Sequence, residues 1–481
     1  MNPLRLVRFC WVLCLLAAPR LSAAPEKVVE VKPSEVQGTW EAWGCSLCWW
    51  AKVFGDRDDL ADLFFTTKTV TLDGRDLPGL GMNYARYNAG ACSRNEIDGR
   101  KMVVSKTILP YRQMEGFWLD GKSADPDSAS WNWSADAKQR AMLLKARDRG
   151  ANFFELFSNS PMWWMCANDN PSGAGGEDNL RRGQEKNHAI YMAAIAKRAK
   201  QDWGLTFTTV EPFNESVSSW WTADCKQEGC HFAPKVQAAV LPLLRAELDQ
   251  RGLSGMAIAA SDENTYDQAI ATWKTYPPAV KQVVAQINVH GYQGAKGERD
   301  RLLGLAHKDG KKLWNSEYGD GGRNGMEMAR NLHLDFHQLQ PTAWAYWQPL
   351  DGSGWGLIET NFFTNSLGET NSKYFVLAQY TRHIRPGMKI IDSGSPDVVA
   401  ALDEAGHRLV LVALNDGATK NLTFDLSRFD TARSAAARWV TETKASARYE
   451  FRRDLKLDHG RLECVLPEKS VQTIELRNLG R

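Results

Sequence analysis

The chain has 481 residues, 43% hydrophobic and 24% charged, which excludes a disordered protein, since disorder needs low hydrophobicity and a strong net charge. With 59 Lys and Arg against 57 Asp and Glu it carries no electrostatic footprint for nucleic acid or for an anionic membrane. Tryptophan stands out at 19 copies, and a surplus of this large flat side chain points to a site for flat apolar ligand faces.

Residues 1–24 read as a secretory signal peptide. Arg5 and Arg8 give a positive start, Phe9 to Ala18 an apolar run, and Ser22-Ala23-Ala24 a small-residue cleavage site. The apolar run is too short to cross a bilayer core of about 30 Å, and no later segment reaches 18 uninterrupted apolar residues. A secreted or periplasmic protein without a membrane span is expected. Cleavage takes away Arg5, Arg8 and Arg20 and no acid, leaving 56 basic against 57 acidic residues. It also leaves seven cysteines, of which Cys225 and Cys230 are the best candidates for a disulfide in an oxidising compartment. Cys45-Ser-Leu-Cys48 has redox or metal spacing but no partner motif, so packed strand cysteines are the simpler reading.

From about residue 38 to 380, strand-like runs alternate with amphipathic helical stretches. The strand candidates are 40–49, 80–88, 152–159, 206–211, 256–260, 286–290, 312–317 and 342–347; the clearest helices cover 181–202, 233–250 and 325–339. Eight strands alternating with helices predict a (β/α)8 TIM barrel. An open doubly wound sheet is the alternative, but no G-x-G-x-x-G follows the first strand. After Arg385-Pro386-Gly387 the texture becomes short alternating runs at 398–402, 408–414, 421–426, 436–441, 462–466 and 471–476, which predict a C-terminal β-sandwich over 385–481. The run Lys27–Val31, within the 25–37 segment ahead of the barrel, is expected to add a strand to that sandwich.

Side chains at the C-terminal ends of barrel strands point into the active site. The fourth strand ends Thr209-Val-Glu211-Pro-Phe-Asn214-Glu215 and the seventh ends Leu313-Trp-Asn-Ser-Glu317-Tyr-Gly, each bringing a carboxylate to the same rim. Two facing carboxylates serve glycosidic hydrolysis, one protonating the leaving oxygen and the other attacking the anomeric carbon. The attacking group should stay ionised, while the acid needs its pKa raised by apolar surroundings and its partner's charge. Glu211 is a rival for the acid role, though strand alternation and Pro212 favour a barrel residue pairing with Arg86. Asp262-Glu263, ending strand five, is a second rival pair with no partner motif around it.

In this order, Glu211-Pro-Phe-Asn214-Glu215 and Trp314-Asn-Ser-Glu317-Tyr318-Gly resemble glycoside hydrolase family 30, among the retaining barrel glycosidases. Gly44-Cys-Ser-Leu-Cys-Trp-Trp-Ala51 and Gly79-Leu-Gly-Met-Asn-Tyr-Ala-Arg-Tyr-Asn-Ala-Gly90 look most like its endo-β-1,6-galactanases. The resemblance implies Glu215 as acid/base and Glu317 as nucleophile. It also implies Asn214 as a partner of the sugar 2-hydroxyl, Arg86 beside the nucleophile, and His290 and Tyr292 at the end of strand six. Trp347 becomes the floor under the scissile sugar, with a loop-capping asparagine, a structural salt bridge and a structural histidine as the competing roles of Asn214, Arg86 and His290. Tyr318 donates to Glu317 or simply packs. Three Trp-Trp pairs, 49–50, 163–164 and 220–221, follow strands one, three and four, and Trp50, Trp164 and Trp220 are their expected contributions to the cleft. Trp118, Trp131, Trp133 and Trp355 lie on loops suited to outer subsites.

The histidines show no H-E-x-x-H or clustered ligand spacing, and neither G-x-S-x-G nor a P-loop occurs, so no metal or cofactor is expected. The partner expected is a polysaccharide or oligosaccharide, with the chain a monomer. The resemblance implies endo-cleavage of β-1,6-galactan as in arabinogalactan side chains. β-1,6-glucanase, xylanase or glucosylceramidase-like activity, or a non-catalytic carbohydrate-binding barrel, are the alternatives. A glucuronoxylan enzyme would need a cationic pocket for the uronate; Arg323 alone follows strands seven and eight in that role. The near-neutral mature chain suits a neutral polysaccharide.

Overall fold

Alternation along each strand decides what faces the barrel interior. Ala42, Tyr84, Trp314, Ala343 and Ala345 meet at its lower end with Phe153, small residues interdigitating with the large rings of Tyr84 and Trp314. The opposite faces of the same strands, including Trp43, Ala85, Phe154 and Trp344, pack outward on the helices. The result, in a computed structural model that describes residues 27–480, is a closed barrel of eight parallel strands. These are Ala42–Ser46, Tyr84–Asn88, Phe153–Phe157, Thr209–Glu211, Ala257–Glu263, Gln286–His290, Lys312–Tyr318 and Ala343–Tyr346. The last closes onto the first, with Ala343 opposite Ala42 and Tyr346 opposite Cys45. All eight fall on the predicted runs. The expected helices form at Glu185–Asp202, Pro234–Gln250 and Met326–Leu334, the last continuing as a π-helical turn over Asp335–Leu339.

The signal peptide expected at 1–24 lies outside the described residues. Among those described, no helix is long and apolar enough to cross a membrane. Cys225 and Cys230, expected as a disulfide, are free thiols, as are the other cysteines of the described chain. Cys230 is buried and its Sγ is directed at the carbonyl of His231, whereas Cys225 sits half-exposed on a turn closed by its own N–H to Thr222 O.

The C-terminal region is a sandwich of a seven-stranded and a four-stranded sheet. Strand Arg408–Asn415 is buried along both faces: Leu409, Leu411 and Ala413 enter the sandwich core, while Val410, Val412 and Leu414 join the barrel's core. A strand covered on both sides reads as continuous hydrophobicity, which is what Leu-Val-Leu-Val-Ala-Leu shows. The N-terminal segment enters both sheets. Lys27–Glu30 pairs in parallel with Lys420–Asp425, and Lys32–Thr39 runs antiparallel to Lys389–Asp392 as the outer strand of the larger sheet. Val29 and Val31 are buried in the sandwich core. Gln379, on the helix Ser372–Thr381, ties barrel to sheet by donating to Thr441 Oγ1 at 2.9 Å and by accepting from Thr473 at its carbonyl at 2.6 Å.

Deleting residues 27–39 removes an outer strand from each sheet and exposes the hydrophobic faces beneath. The expected outcome is a lower Tm for the β domain in calorimetry; an unchanged Tm would contradict this role for the segment.

Candidate active site

Arg86 stands in the second barrel strand with its side chain fully buried inside the barrel. Its Nε donates to Glu155 Oε1 at 3.1 Å, one Nη donates to Glu317 Oε2 at 2.6 Å, and the other reaches Asp262 Oδ2 and Asn214 Oδ1, the latter at 3.1 Å. The guanidinium plane also lies over Phe157, 3.5 Å from the ring centre. Glu155 is fixed in turn by Tyr84, Thr209 and Asn288, each donating at 2.8–2.9 Å. An interior layer of hydrogen-bonded polar groups thus spans six of the eight strands.

Two of the carboxylates on this network are aimed by irregularities that break strand alternation. In the seventh strand Val289 faces Asn315 but His290 faces Glu317, so Ser316 is an extra residue and Glu317 is turned into the cleft. In the fifth strand the register slips between Ser261 and Glu263, and Asp262 takes a left-handed conformation with φ of 57°. Glu215 is likewise left-handed, φ 50°, just past the fourth strand. Its N–H donates to Asp262 O at 2.7 Å and its carbonyl accepts from Trp221 Nε1 at 2.8 Å.

Glu215 Oε1 accepts from Asn264 Nδ2 at 2.6 Å and lies 3.0 Å from His290 Nδ1. Glu317 Oε1 accepts from Tyr292 OH at 2.8 Å and lies 3.5 Å from the same His290 nitrogen. One oxygen of each carboxylate and a ring nitrogen of His290 fall within 4.8 Å of one another. These are donor atoms of the kind a metal site uses, here engaged with one another, with Arg86 and with Tyr292.

Burial works against a charge on His290, but Glu317 and Asp262, together with hydrogen bonds to Asp262 and Glu215, override it and push the imidazole up to about 10. Asp262 is also opposed by burial, yet Arg86, His290 and Ser316 hold it down at about 2. Burial raises the Glu317 carboxyl above its ordinary range; His290 and Arg86 pull it back, and Glu215 and Asp262 push it further up. The upward push runs against the expectation that the attacking group stays ionised, and the two cations, Arg86 among them as expected, counter it.

The cleft above these residues has a volume of about 840 Å³. Asn214, Glu215, Tyr292, Glu317 and Trp347 all line it, so the structure brings these five expected residues together, with Arg86 and His290 buried directly behind them. Trp347 meets Trp49 edge-on, ring centres 5.0 Å apart, and Arg112 lies 4.2 Å over the Trp49 ring.

Other expectations are corrected. Trp50 is fully buried, opens the helix Trp50–Phe54, donates to Ser46 O and packs edge-on against Phe64; its neighbour Trp49 lines the cleft instead. Trp164 is a core residue that donates to Trp118 O. Trp220 is 43% exposed but lies outside the cleft lining, and Trp221 is buried in its positioning bond to Glu215. Trp118, Trp131 and Trp133 form a parallel stack with spacings of 4.8 and 5.1 Å; the first two are buried, and none lines the cleft, whereas Trp355 does. Glu211 is a buried barrel residue, as expected, but does not pair with Arg86, whose acidic partners are Glu155, Asp262 and Glu317. Among the described residues its oxygens have no hydrogen-bond partner, and burial beside Asp262 and Glu155 raises its pKa strongly. Asp262 and Glu263 do not reach the cleft; Glu263 is bonded to Val217 N, Gln237 and Thr272. Tyr318 donates to Asp320 rather than to Glu317.

Comparison with known proteins bears on this geometry directly. The sequence profile of O-glycosyl hydrolase family 30 matches residues 26–288. The chain belongs to family 30. It is 52% identical over 457 residues to an endo-β-1,6-galactanase of Hypocrea rufa, covering 94% of this chain and 95% of that one. It is 22% identical to an exo-β-1,6-galactobiohydrolase of Bifidobacterium longum, covering 88% of this chain and 37% of the longer relative. A family 30 subfamily 8 xylanase from Clostridium acetobutylicum shares the fold, with a TM-score of 0.70, 19% identity and coverage of 94% and 99%.

Sequence reasoning did not single out several residues of this family 30 cleft. Tyr111 and Arg112 come from the long excursion after strand two, Lys226 and Gln227 from the loop after strand four, and Asn264 from the turn after strand five. Phe362 and Phe363 come from the hairpin between Ile358–Asn361 and Ser366–Thr370, and Phe363 is 70% exposed. That last pair carried a signal, since two adjacent aromatics in an Asn-Phe-Phe-Thr-Asn turn stand out on a loop; Phe362 packs on Phe54 and Tyr111, while Phe363 stays exposed. The others reach the cleft only through loop folding.

A histidine whose folded pKa exceeds its unfolded value near 6.5 contributes stability that is complete below about 6.5 and is lost as the pH rises toward about 10. Nitrogen NMR of the His290 ring should therefore show both nitrogens protonated at pH 8. A titration midpoint near 6.5 would contradict the network.

Proposed function

We propose that this chain is an exported endo-β-1,6-galactanase that acts by double displacement with retention. The observation that carries the mechanism is the approach of Glu215 and Glu317 oxygens to within 4.8 Å, which suits the about 5–5.5 Å carboxyl separation of retaining enzymes and not the about 6.5–9.5 Å of inverting ones.

Glu317 attacks the anomeric carbon and forms the glycosyl-enzyme. Arg86 and Tyr292 both donate to it, so its attacking lone pair is oriented and its charge is balanced before substrate arrives. Glu215 protonates the leaving oxygen and then takes a proton from the incoming water. Both of its bonds among the described residues fall on Oε1, which leaves Oε2 for the glycosidic oxygen. The positive charge on His290, shared between the two carboxylates, rises in value for Glu215 as Glu317 is neutralised by glycosylation. Asn214 is held by Arg86 through Oδ1, leaving its amide N–H groups for the sugar 2-hydroxyl. The Trp347 face supplies the floor on which the pyranose CH groups dock.

The substrate assignment rests on the 52% identical endo-β-1,6-galactanase and on the whole-length match with it. Export rests on the sequence of residues 1–24, which reads as a signal peptide.

Glu317→Ala should abolish hydrolysis of β-1,6-galactan with oligosaccharide binding retained, and Glu215→Gln should lower kcat by about 10²–10⁴, the usual contribution of a general acid. Reducing-sugar release from β-1,6-galactan, pustulan and glucuronoxylan side by side reads both variants and the substrate. Substantial turnover by Glu317→Ala, or preference of the unaltered enzyme for pustulan or glucuronoxylan, would refute the reading.

A further inference from the structure

At the opposite end of the barrel from the catalytic rim, a second cavity of about 320 Å³ opens at the seam with the β domain. Arg382, Arg385, Arg408 and Arg477 line it together with His383, Glu475, Trp439 and Tyr449. Its place is fixed by hydrogen bonds to the segment leading into the second barrel strand: Arg382 donates to Thr67 O and Gly79 O, and Arg385 donates to Gly81 O.

Charge is unbalanced here. Glu475 is the acid of the cavity lining, and it is already saturated: His383 Nδ1 lies 2.7 Å away, Arg408 donates at 3.2 Å, and Arg477 donates through Nη at 2.7 Å and Nε at 3.0 Å. Among the described residues neither Arg382 nor Arg385 has an acidic partner; their bonds go to main-chain carbonyls and to Tyr449 OH. Crowding shows on Arg385, which burial, Arg408 and Arg382 together lower to about 10. A half-buried guanidinium with donors left over and no acid is a site for an external anion, and its fork matches a carboxylate.

An aromatic row borders these arginines. Trp439 and Tyr449 have ring centres 6.4 Å apart at 30°, Trp439 and Phe451 lie 5.0 Å apart, and the Arg382 guanidinium sits 5.2 Å over the Tyr449 ring. Phe451 is half exposed. An aromatic face beside a guanidinium fork receives the CH face and the carboxylate of one acidic pyranose, and the volume suits one small ligand.

We propose that this seam cavity binds a carboxylate-bearing, uronosyl sugar residue, giving the enzyme a second carbohydrate site at the far end of the barrel from its catalytic cleft. That the ligand is a sugar rests on the glycosidase reading; that it is an anion rests on the cavity's own charges. Holding an acidic branch at this site would keep the polymer on the enzyme between cleavages without touching the catalytic residues.

The test is calorimetric titration of the full chain with sodium glucuronate, galactose and sodium sulfate, repeated on Arg385→Gln and on Arg477→Ala. Arg477 is 63% exposed in its side chain, so its removal leaves the fold intact even where Arg385→Gln disturbs the seam. Saturable glucuronate binding, much weaker binding of galactose and sulfate, and a loss of about tenfold in affinity in the variants are expected for a charge-assisted pair. Galactose or sulfate binding as tightly as glucuronate would overturn the proposal, as would no glucuronate binding or binding unchanged in Arg477→Ala. The readout needs no turnover, so a chain that binds glucuronate yet leaves galactan uncut refutes the proposed activity and upholds the anion site.

Discussion

A single buried guanidinium organises this barrel. Arg86 has no exposure to solvent and faces Glu155, Asp262 and Glu317. Desolvating such a group costs several kcal/mol, which only close oppositely charged and hydrogen-bonded partners offset. Its five donors are therefore constraints on five neighbours, Ser46, Glu155, Asn214, Asp262 and Glu317. Glu155 locks the arginine to the scaffold through Tyr84, Thr209 and Asn288, while Glu317 and Asn214 are the groups it presents to the cleft. Stability and chemistry meet in one side chain, so the catalytic oxygens are positioned by the same contacts that make burial of the arginine tolerable.

The second organising cation is His290, between Glu215, Asp262 and Glu317. Arg86, His290 and the carboxyl groups of Glu155, Glu215, Asp262 and Glu317 form one buried, hydrogen-bonded cage, whose shape is set before a substrate enters. Around it the cleft walls are aromatic, with Trp347 and Trp49 set edge-on and Trp355 opposite Tyr292 at 6.4 Å. This division of labour suits a sugar: apolar faces hold the ring, and polar groups at the base act on its anomeric centre. The C-terminal sandwich braces the barrel through the doubly buried strand Arg408–Asn415, and the chain's first strands lie in both of its sheets.

Much of this was legible in the residues. Eight hydrophobic runs at barrel spacing, and the glutamates that end the fourth and seventh, needed no tertiary information, because strand ends in a parallel barrel share one rim. Arg86, Asn214, His290, Tyr292 and Trp347 were reachable through the family resemblance, which gave roles to residues at those strand ends. Tryptophan pairs were not. Trp50, Trp164 and Trp221 follow strands as expected, yet each donates its indole N–H to a main-chain carbonyl and packs inward, because a residue after a strand faces cleft or helix according to a turn that no pattern specifies. The bulges at Asp262 and Ser316 were equally invisible, since strict alternation would turn Glu317 away from Trp314's side of the strand. The cationic lining came from an unexpected direction too: Arg112 and Lys226 reach the cleft from the loops after strands two and four, whereas Arg323, the residue considered from sequence, pairs with Glu359 at 3.5 Å.

The account turns on two carboxylates close enough for one of them to bond to the sugar. Proton NMR of the anomeric centre during the first minutes of galacto-oligosaccharide cleavage reads this directly. Two displacements at one carbon predict that the β-hemiacetal appears first and only later mutarotates to the α form. Initial release of the α-hemiacetal would mean a single displacement by water, and would contradict the role given to Glu317.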